Sequence, residues 1–312
     1  VTNDPDAPRR WNGHHGPVLH SRDGFDVIDC AACGFRHVVP IPDEDALRDI
    51  YKHDYHVKDK PLMLQHQLED REWLEATGDA RLAVLERLLG RVGSLLDVGA
   101  GNGFFLARAK ALGWAARGVE PSDKAAAHAR SLGLAVDCET FGPACAARLG
   151  RFDVVHLGEV LEHLPDPAGM LRLCGTALNP GGLLAVSVPN DYTAVQRVLH
   201  QDLGVRPWWV APPHHLNYFD RDSLEGLFRR TGFAPCHAAV SFPMELFLLM
   251  GKNYLDDPAL GRECHAMRKA LELALLGSGN SRLLEALHEG FARAGMGRTL
   301  LVVGRKQQQD AP

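Results

Sequence analysis

The sequence has no apolar run near the ~18 residues that a membrane-spanning helix requires. Its longest candidate, Met244 to Met250, is interrupted by Glu245. Cysteine is thin: seven residues, an odd number, are scattered along 312. That usage excludes a disulfide framework and favours a reducing compartment. An excess of one charge is also missing. Lys+Arg number 34 against 39 Asp+Glu, a net charge of -5, so no general nucleic-acid-binding surface is expected. The polar N-terminal stretch carries no signal-peptide pattern. Together these features predict a cytoplasmic protein whose partner is neither a membrane nor a nucleic acid. What is present is ordinary globular material, 46% hydrophobic and 23% charged, enough for a sizeable core.

Three textures follow one another. Residues 1–61 are rich in His, Asp, Pro and Cys and read as a small module with a linker. Residues 62–242 alternate apolar segments with glycine turns. Residues 243–297 have helical spacing, and 298–312 hold a last apolar run and a tail. In the middle zone, strands are expected at Ser94–Val98, Ala116–Glu120, Ala135–Cys138, Phe152–Leu157, Leu183–Val188 and Ala234–Ser241, with a seventh at Thr299–Gly304. Helices start after Gly103 and Pro121-Ser122, and Asn179-Pro-Gly-Gly182 reads as a turn. Strands alternating with helices predict an α/β fold whose mostly parallel sheet is covered on both faces. Ligands of such sheets sit beyond the carboxyl ends of the strands.

The first expected strand runs into Asp97-Val-Gly99-Ala-Gly101-Asn-Gly103, and the second ends at Glu120. Glycines let a ligand approach the backbone, and an acid about twenty residues later can accept both hydroxyls of a ribose. A dinucleotide fingerprint G-x-G-x-x-G needs a third glycine where Phe104 stands. Asp97 also suits an ammonium or sulfonium better than a pyrophosphate. S-adenosylmethionine offers both cations and a ribose.

With Glu120-Pro-Ser122, Phe152-Asp-Val-Val-His-Leu-Gly-Glu-Val-Leu-Glu-His163 and Asn179-Pro-Gly-Gly182, the chain resembles the class I S-adenosylmethionine-dependent methyltransferases. The resemblance implies a Rossmann-like sheet of seven strands with the last antiparallel. It places Asp97, Gly99, Ala100, Gly101 and Gly103 along the methionine part of the cofactor, and Glu120 with Pro121 on the ribose. Glu139 and Thr140, in the segment after the third strand, would line the adenine. Glu159, next to Gly158 past the fourth strand, would face the reacting methyl.

Pro212-Pro-His-His-Leu-Asn-Tyr-Phe219 follows Trp208-Trp209. It resembles the H-E-H-x-x-Y-F stretch of small-molecule and sugar methyltransferases at His215, Tyr218 and Phe219. His215, and after it His214, is therefore expected as the base that takes a proton from the acceptor. The two tryptophans could wall the substrate or belong to the core.

Cys30-Ala-Ala-Cys33-Gly34 is a knuckle of the kind that presents two thiolates to zinc. Methyltransferases with an N-terminal zinc module carry a second cysteine pair upstream. Here Asn12-Gly-His-His-Gly16 stands in that place, so His15 and then His14, His20 or His37 would complete a structural site. A relic knuckle or a redox pair is the other reading. Tyr51 and Tyr55 resemble a stretch that leads to the cofactor domain, where Tyr55 would cover the cofactor or anchor a linker. Arg262–Leu276 and Ser281–Ala294 read as an amphipathic helical insertion that could cover the substrate or pair with a second copy of the chain.

The expected activity is methyl transfer to an oxygen, nitrogen or carbon of a small molecule such as a sugar or secondary metabolite. An NAD-dependent oxidoreductase is opposed by Phe104 and Asp97. A non-catalytic module with a vestigial cofactor fold is opposed by the intact turn and Glu120. Gly158-Glu-Val-Leu161 stands where a base-flipping enzyme would carry Asn/Asp-Pro-Pro-Tyr.

Overall fold

A computed structural model describes residues 11–43 and 63–307. Tyr51, Tyr55 and the boundary expected near residue 61 lie outside the described residues.

The front of the chain forms strands β1 (Val18–Arg22), β2 (Phe25–Cys30) and β3 (Phe35–Val39). Asp23 and Gly24 both have positive φ, 51° and 82°, and close the first hairpin. The main sheet contains β4 (Ser94–Val98), β5 (Ala115–Val119), β6 (Val136–Asp137), β7 (Phe152–Gly158) and β8 (Leu178–Pro189), which pair with one another in parallel. After the short strand β9 (Asn217–Tyr218) come β10 (Phe233–Val240) and β11 (Thr299–Lys306). The order is β10-β11-β8-β7-β4-β5-β6, seven strands, with β11 antiparallel to both neighbours. This is the expected Rossmann-like methyltransferase sheet. The expected turn at Asn179–Gly182 is instead the irregular start of β8, whose pairing with β7 shifts between Phe152 and Val154.

The strands form because their residues are apolar on both faces. Leu95, Leu96, Val154, Val155 and Leu157 are fully buried. Burying each such side chain contributes about 1.5–3 kcal/mol. Helices cover both sides, among them Arg71–Leu89, which sequence spacing had not revealed.

The insertion is a hairpin of helices Pro258–Gly277 and Ser281–Arg293. One side borders the central cavity through Arg268, Glu272, Leu284 and His288. The other leaves Met267, Leu271, Leu283 and Leu287 exposed.

The front sheet is completed from elsewhere: β9, a strand from beyond β8, is its fourth member, in the order β1-β2-β3-β9.

Candidate active site

At the carboxyl end of β4 the chain turns sharply. Gly99 has φ +76°, and a Cβ there would meet Val160 Cγ2 at 2.5 Å. Gly101, at φ +53°, faces open space. Glu120 ends the next strand's run and is 7% exposed. Its Oε2 accepts the Gly101 N–H and its Oε1 the Ser122 N–H, both at 2.8 Å. A carboxylate oxygen can accept more than one hydrogen bond.

Asp97 is buried behind the turn. Its Oδ1 accepts the His156 Nδ1–H at 2.7 Å, and His156 Nε2 accepts from the Arg81 guanidinium at 3.1 Å. Burial holds the His156 pKa low against the pull of Asp97, so this imidazole stays neutral and relays the polarity of Arg81 to the carboxylate.

Asp97, the glycine turn, Glu120 and Pro121 border one cavity of about 1570 Å³. A pocket for a single drug-sized ligand occupies roughly 300–1,000 Å³, so the cavity has room for a cofactor and an acceptor together. Thr140 also borders it. Glu139 does not: it pairs with Arg148 outside. Of the two adenine-side choices, the structure therefore brings only Thr140 to the cavity.

The acceptor side begins where β7 ends. Gly158 and Glu159 border the cavity. Glu159 has φ +57°, a sparsely populated conformation for a side chain of this kind, and its N–H donates to Ser187 O at 2.9 Å. A single 3-10 turn, Leu161–His163, follows. His163 borders the cavity, and its Nδ1–H donates to the His214 carbonyl oxygen at 2.6 Å. In the neutral ring Nε2 then carries the lone pair, and it lies 3.7 Å from the Glu162 carboxylate.

Of the histidines expected as the base, neither His214 nor His215 borders the cavity. His214 supplies its carbonyl to His163, and the His215 ring lies edge-on to His163 at 5.1 Å. Trp208 and Trp209 belong to an apolar cluster with Tyr192 and Tyr218 under the front sheet.

A family model described as a methyltransferase domain matches residues 64–238, more than half of the chain. The chain belongs to this methyltransferase family. The ubiquinone biosynthesis O-methyltransferase of Caulobacter vibrioides is 39% identical over 131 residues, 39% of this methyltransferase and 51% of that protein. That of Cereibacter sphaeroides is 34% identical over 149 residues, 45% of this chain and 60% of that one. This methyltransferase thus spans about half the length of the first curated relatives it matches. Among solved structures, the 1,6-didemethyltoxoflavin-N1-methyltransferase of Burkholderia thailandensis, bound to its substrate and S-adenosylhomocysteine, shares the fold. It superposes with a TM-score of 0.50 over 94% of this chain and 100% of that one, at 15% identity.

The far wall of the methyltransferase cavity is polar. Trp73 Nε1–H donates to Glu272 Oε2 at 2.5 Å, and the Arg268 guanidinium lies 4.4 Å over the Trp73 ring. Arg268 Nε is 3.5 Å and His288 Nε2 3.3 Å from the Glu272 carboxylate. Burial would raise the Glu272 pKa, but His288, Arg268 and Trp73 hold it below the usual range.

The cysteine knuckle lies apart, at the ends of β2 and β3. His14, Cys30, Cys33 and His37 bring four ligand atoms within 4.8 Å of one another. His14 Nδ1 is 3.6 Å from Cys30 Sγ and 3.3 Å from Cys33 Sγ. Bonds of ~2.3 Å to sulfur and ~2.0 Å to nitrogen put such atoms about 3.5 Å apart around a tetrahedral zinc. His37 Nδ1–H donates to Val38 O at 2.9 Å, which turns Nε2 toward the cysteines. That Nε2 is buried and has no hydrogen-bond partner among the described residues. His15 is not part of the group: its Nδ1 contacts Gly13 O at 3.3 Å. His20 turns instead to the Tyr192 hydroxyl at 3.0 Å.

Sequence reasoning did not single out Arg81, Glu272 or His163, all of which border the cavity. His163 stood inside the Phe152–His163 block and could have been found there. Arg268 lies one turn from Glu272 on the same helix, but Trp73 comes from a helix far away in sequence.

Proposed function

We propose that this chain transfers the methyl group of S-adenosylmethionine to a hydroxyl oxygen of a small molecule. The observation that carries the reading is one cavity that joins the glycine turn and Glu120 to Glu159 and His163. The name O-methyltransferase on the relatives supports oxygen as the acceptor atom.

When bound, the cofactor supplies a methyl group already activated by a positively charged sulfur. The chain's own part is mainly alignment. Glu120 accepts hydrogen bonds from the ribose hydroxyls. Asp97, fixed by His156, supplies negative charge on the methionine side. His163 Nε2 takes the proton of the acceptor hydroxyl, while Nδ1 stays bonded to His214 O and holds the ring in place.

The test is incubation with methyl-labelled cofactor and a panel of phenols, catechols and sugars, followed by mass spectrometry. Labelled methyl ethers together with S-adenosylhomocysteine support the reading. A chain stabilised against heat by NADH and not by S-adenosylhomocysteine overturns it.

The second part of the reading concerns the knuckle. We infer that it holds a structural zinc through His14, Cys30, Cys33 and His37, with all four positions filled by protein. The buried His37 Nε2 and the spacing of His14 from both sulfurs support this ligand set. Metal analysis and the absorption spectrum of the cobalt-substituted protein test it.

A further inference from the structure

The knuckle and the acceptor side of the cavity share a strand. β3 pairs with β9 at Arg36↔Tyr218 and His37↔Asn217. Just beyond, Val38 N–H donates to Leu216 O at 2.8 Å. His37, one of the four ligands inferred above, is thus itself a rung of this ladder. The opposite side of the same segment grips the turn that carries His163. Leu216 N–H donates to Glu162 O at 2.8 Å. Asn217 is 4% exposed, and its Nδ2 donates to Leu161 O at 3.1 Å and to Leu164 O at 2.7 Å. One buried amide therefore bridges the two ends of the Leu161–His163 turn. The carbonyl oxygen of His214, three residues before it, accepts the hydrogen bond from His163 Nδ1–H.

A buried amide that spends both donors on one turn fixes that turn, since an alternative placement leaves polar groups unbonded in the interior. Two further contacts lock the knuckle to the core. Arg230 donates to Cys33 O at 2.6 Å, and Arg36 pairs with Asp220 at 2.7 Å.

We propose that Asn217, with the backbone of residues 214–216, is a positioning tie through which the filled knuckle holds His163 in its Nδ1-protonated orientation. Asn217 touches neither cofactor nor acceptor; it acts through His163. The inference rests on the zinc reading and on His163 as the base. Its consequence is that metal loss acts on turnover more than on cofactor binding. A displacement of ~1 Å at a reacting group costs on the order of 100-fold in rate.

The experiment uses the full chain labelled with nitrogen-15 in histidine and saturated with S-adenosylhomocysteine. The His163 signals are assigned by their loss in His163→Asn. Three quantities are read: zinc content, the affinity for S-adenosylhomocysteine, and the His163 nitrogen shifts, which distinguish the two tautomers. The zinc-loaded chain shows one His163 tautomer. After stripping by a chelator, or in His37→Ala, the tautomers mix and methyl transfer to the acceptor found above falls about 100-fold, with cofactor affinity unchanged. His37→Cys, which keeps a ligand, keeps the metal and the single tautomer. Asn217→Ala keeps the metal and loses the single tautomer, so the link is tested even if His37→Ala fails to fold.

A zinc-loaded chain whose His163 spectrum is indifferent to stripping, or to Asn217→Ala, overturns this inference and leaves the zinc reading standing. A chain that takes up no zinc overturns both.

Discussion

Glu120 and His163 border the same cavity, yet replacing them removes different things. Glu120→Ala takes away two charged acceptors for the ribose. Such bonds contribute about 1.5–3 kcal/mol each, and even one of them corresponds to roughly 10- to 100-fold in affinity. Calorimetry with S-adenosylhomocysteine reads the loss directly. His163→Asn should leave that affinity alone and lower turnover by about 100-fold or more, the usual worth of a general base. His215→Asn should do much less, because His215 does not border the cavity. Asp191 gives a third prediction. Burial pushes its carboxyl up to about 8, Glu245 and Glu159 push the same way, and only Gln196 opposes strongly among its hydrogen bonds. The folded chain then holds a proton that the unfolded chain releases, so stability falls as pH rises from 3.8 through about 8. Asp191→Asn should flatten that slope in urea titrations across the window. At this scale the sequence placed Glu120 and the glycine turn near each other, and both border the cavity. Glu120 and the glycine turn sit in one short stretch whose spacing reflects their geometry. The sequence did not bring His163 and His214 together, because the two meet through a carbonyl oxygen, which no side-chain pattern records.

Among the elements, the helical hairpin carries a buried carboxylate. Glu272 is 1% exposed and meets Trp73, Arg268 and His288. Glu272→Ala leaves the Arg268 charge buried without its partner, at a cost of about 3 kcal/mol. Denaturant titration checks the value, and a loss near zero would show that the hairpin is held by its apolar contacts alone. The two helices were legible from amphipathic spacing, and the seven main strands from apolar runs between glycines. The front hairpin carried a readable signal, Asp23-Gly24, the residue pair that a two-residue turn with positive φ favours. β9 carried none. A strand of two residues has no period, and its place is set by β3, far away in sequence.

At the level of the whole molecule, the front sheet and the main sheet are bound in both directions. Metal should therefore contribute to global stability as well as to local order. Zinc should raise the melting temperature of the stripped chain in a concentration-dependent way. His14→Ala should abolish that rise and His15→Ala should not, since only His14 faces both sulfurs. Differential scanning calorimetry distinguishes the two variants. The knuckle itself was visible as Cys30 and Cys33, but the choice between neighbouring histidines was not. It depends on which way one loop faces after β1 and β2 have folded.

The borrowed strand also limits how such proteins can be recombined. A polypeptide starting at Met63 would present Asn217 and Tyr218 as a stub with nothing to zip onto, and would uncover Phe219, which normally lies against Phe35. Anyone exchanging front lobes between related enzymes would have to move that two-residue strip along with its host, or expect the chimaera to clump.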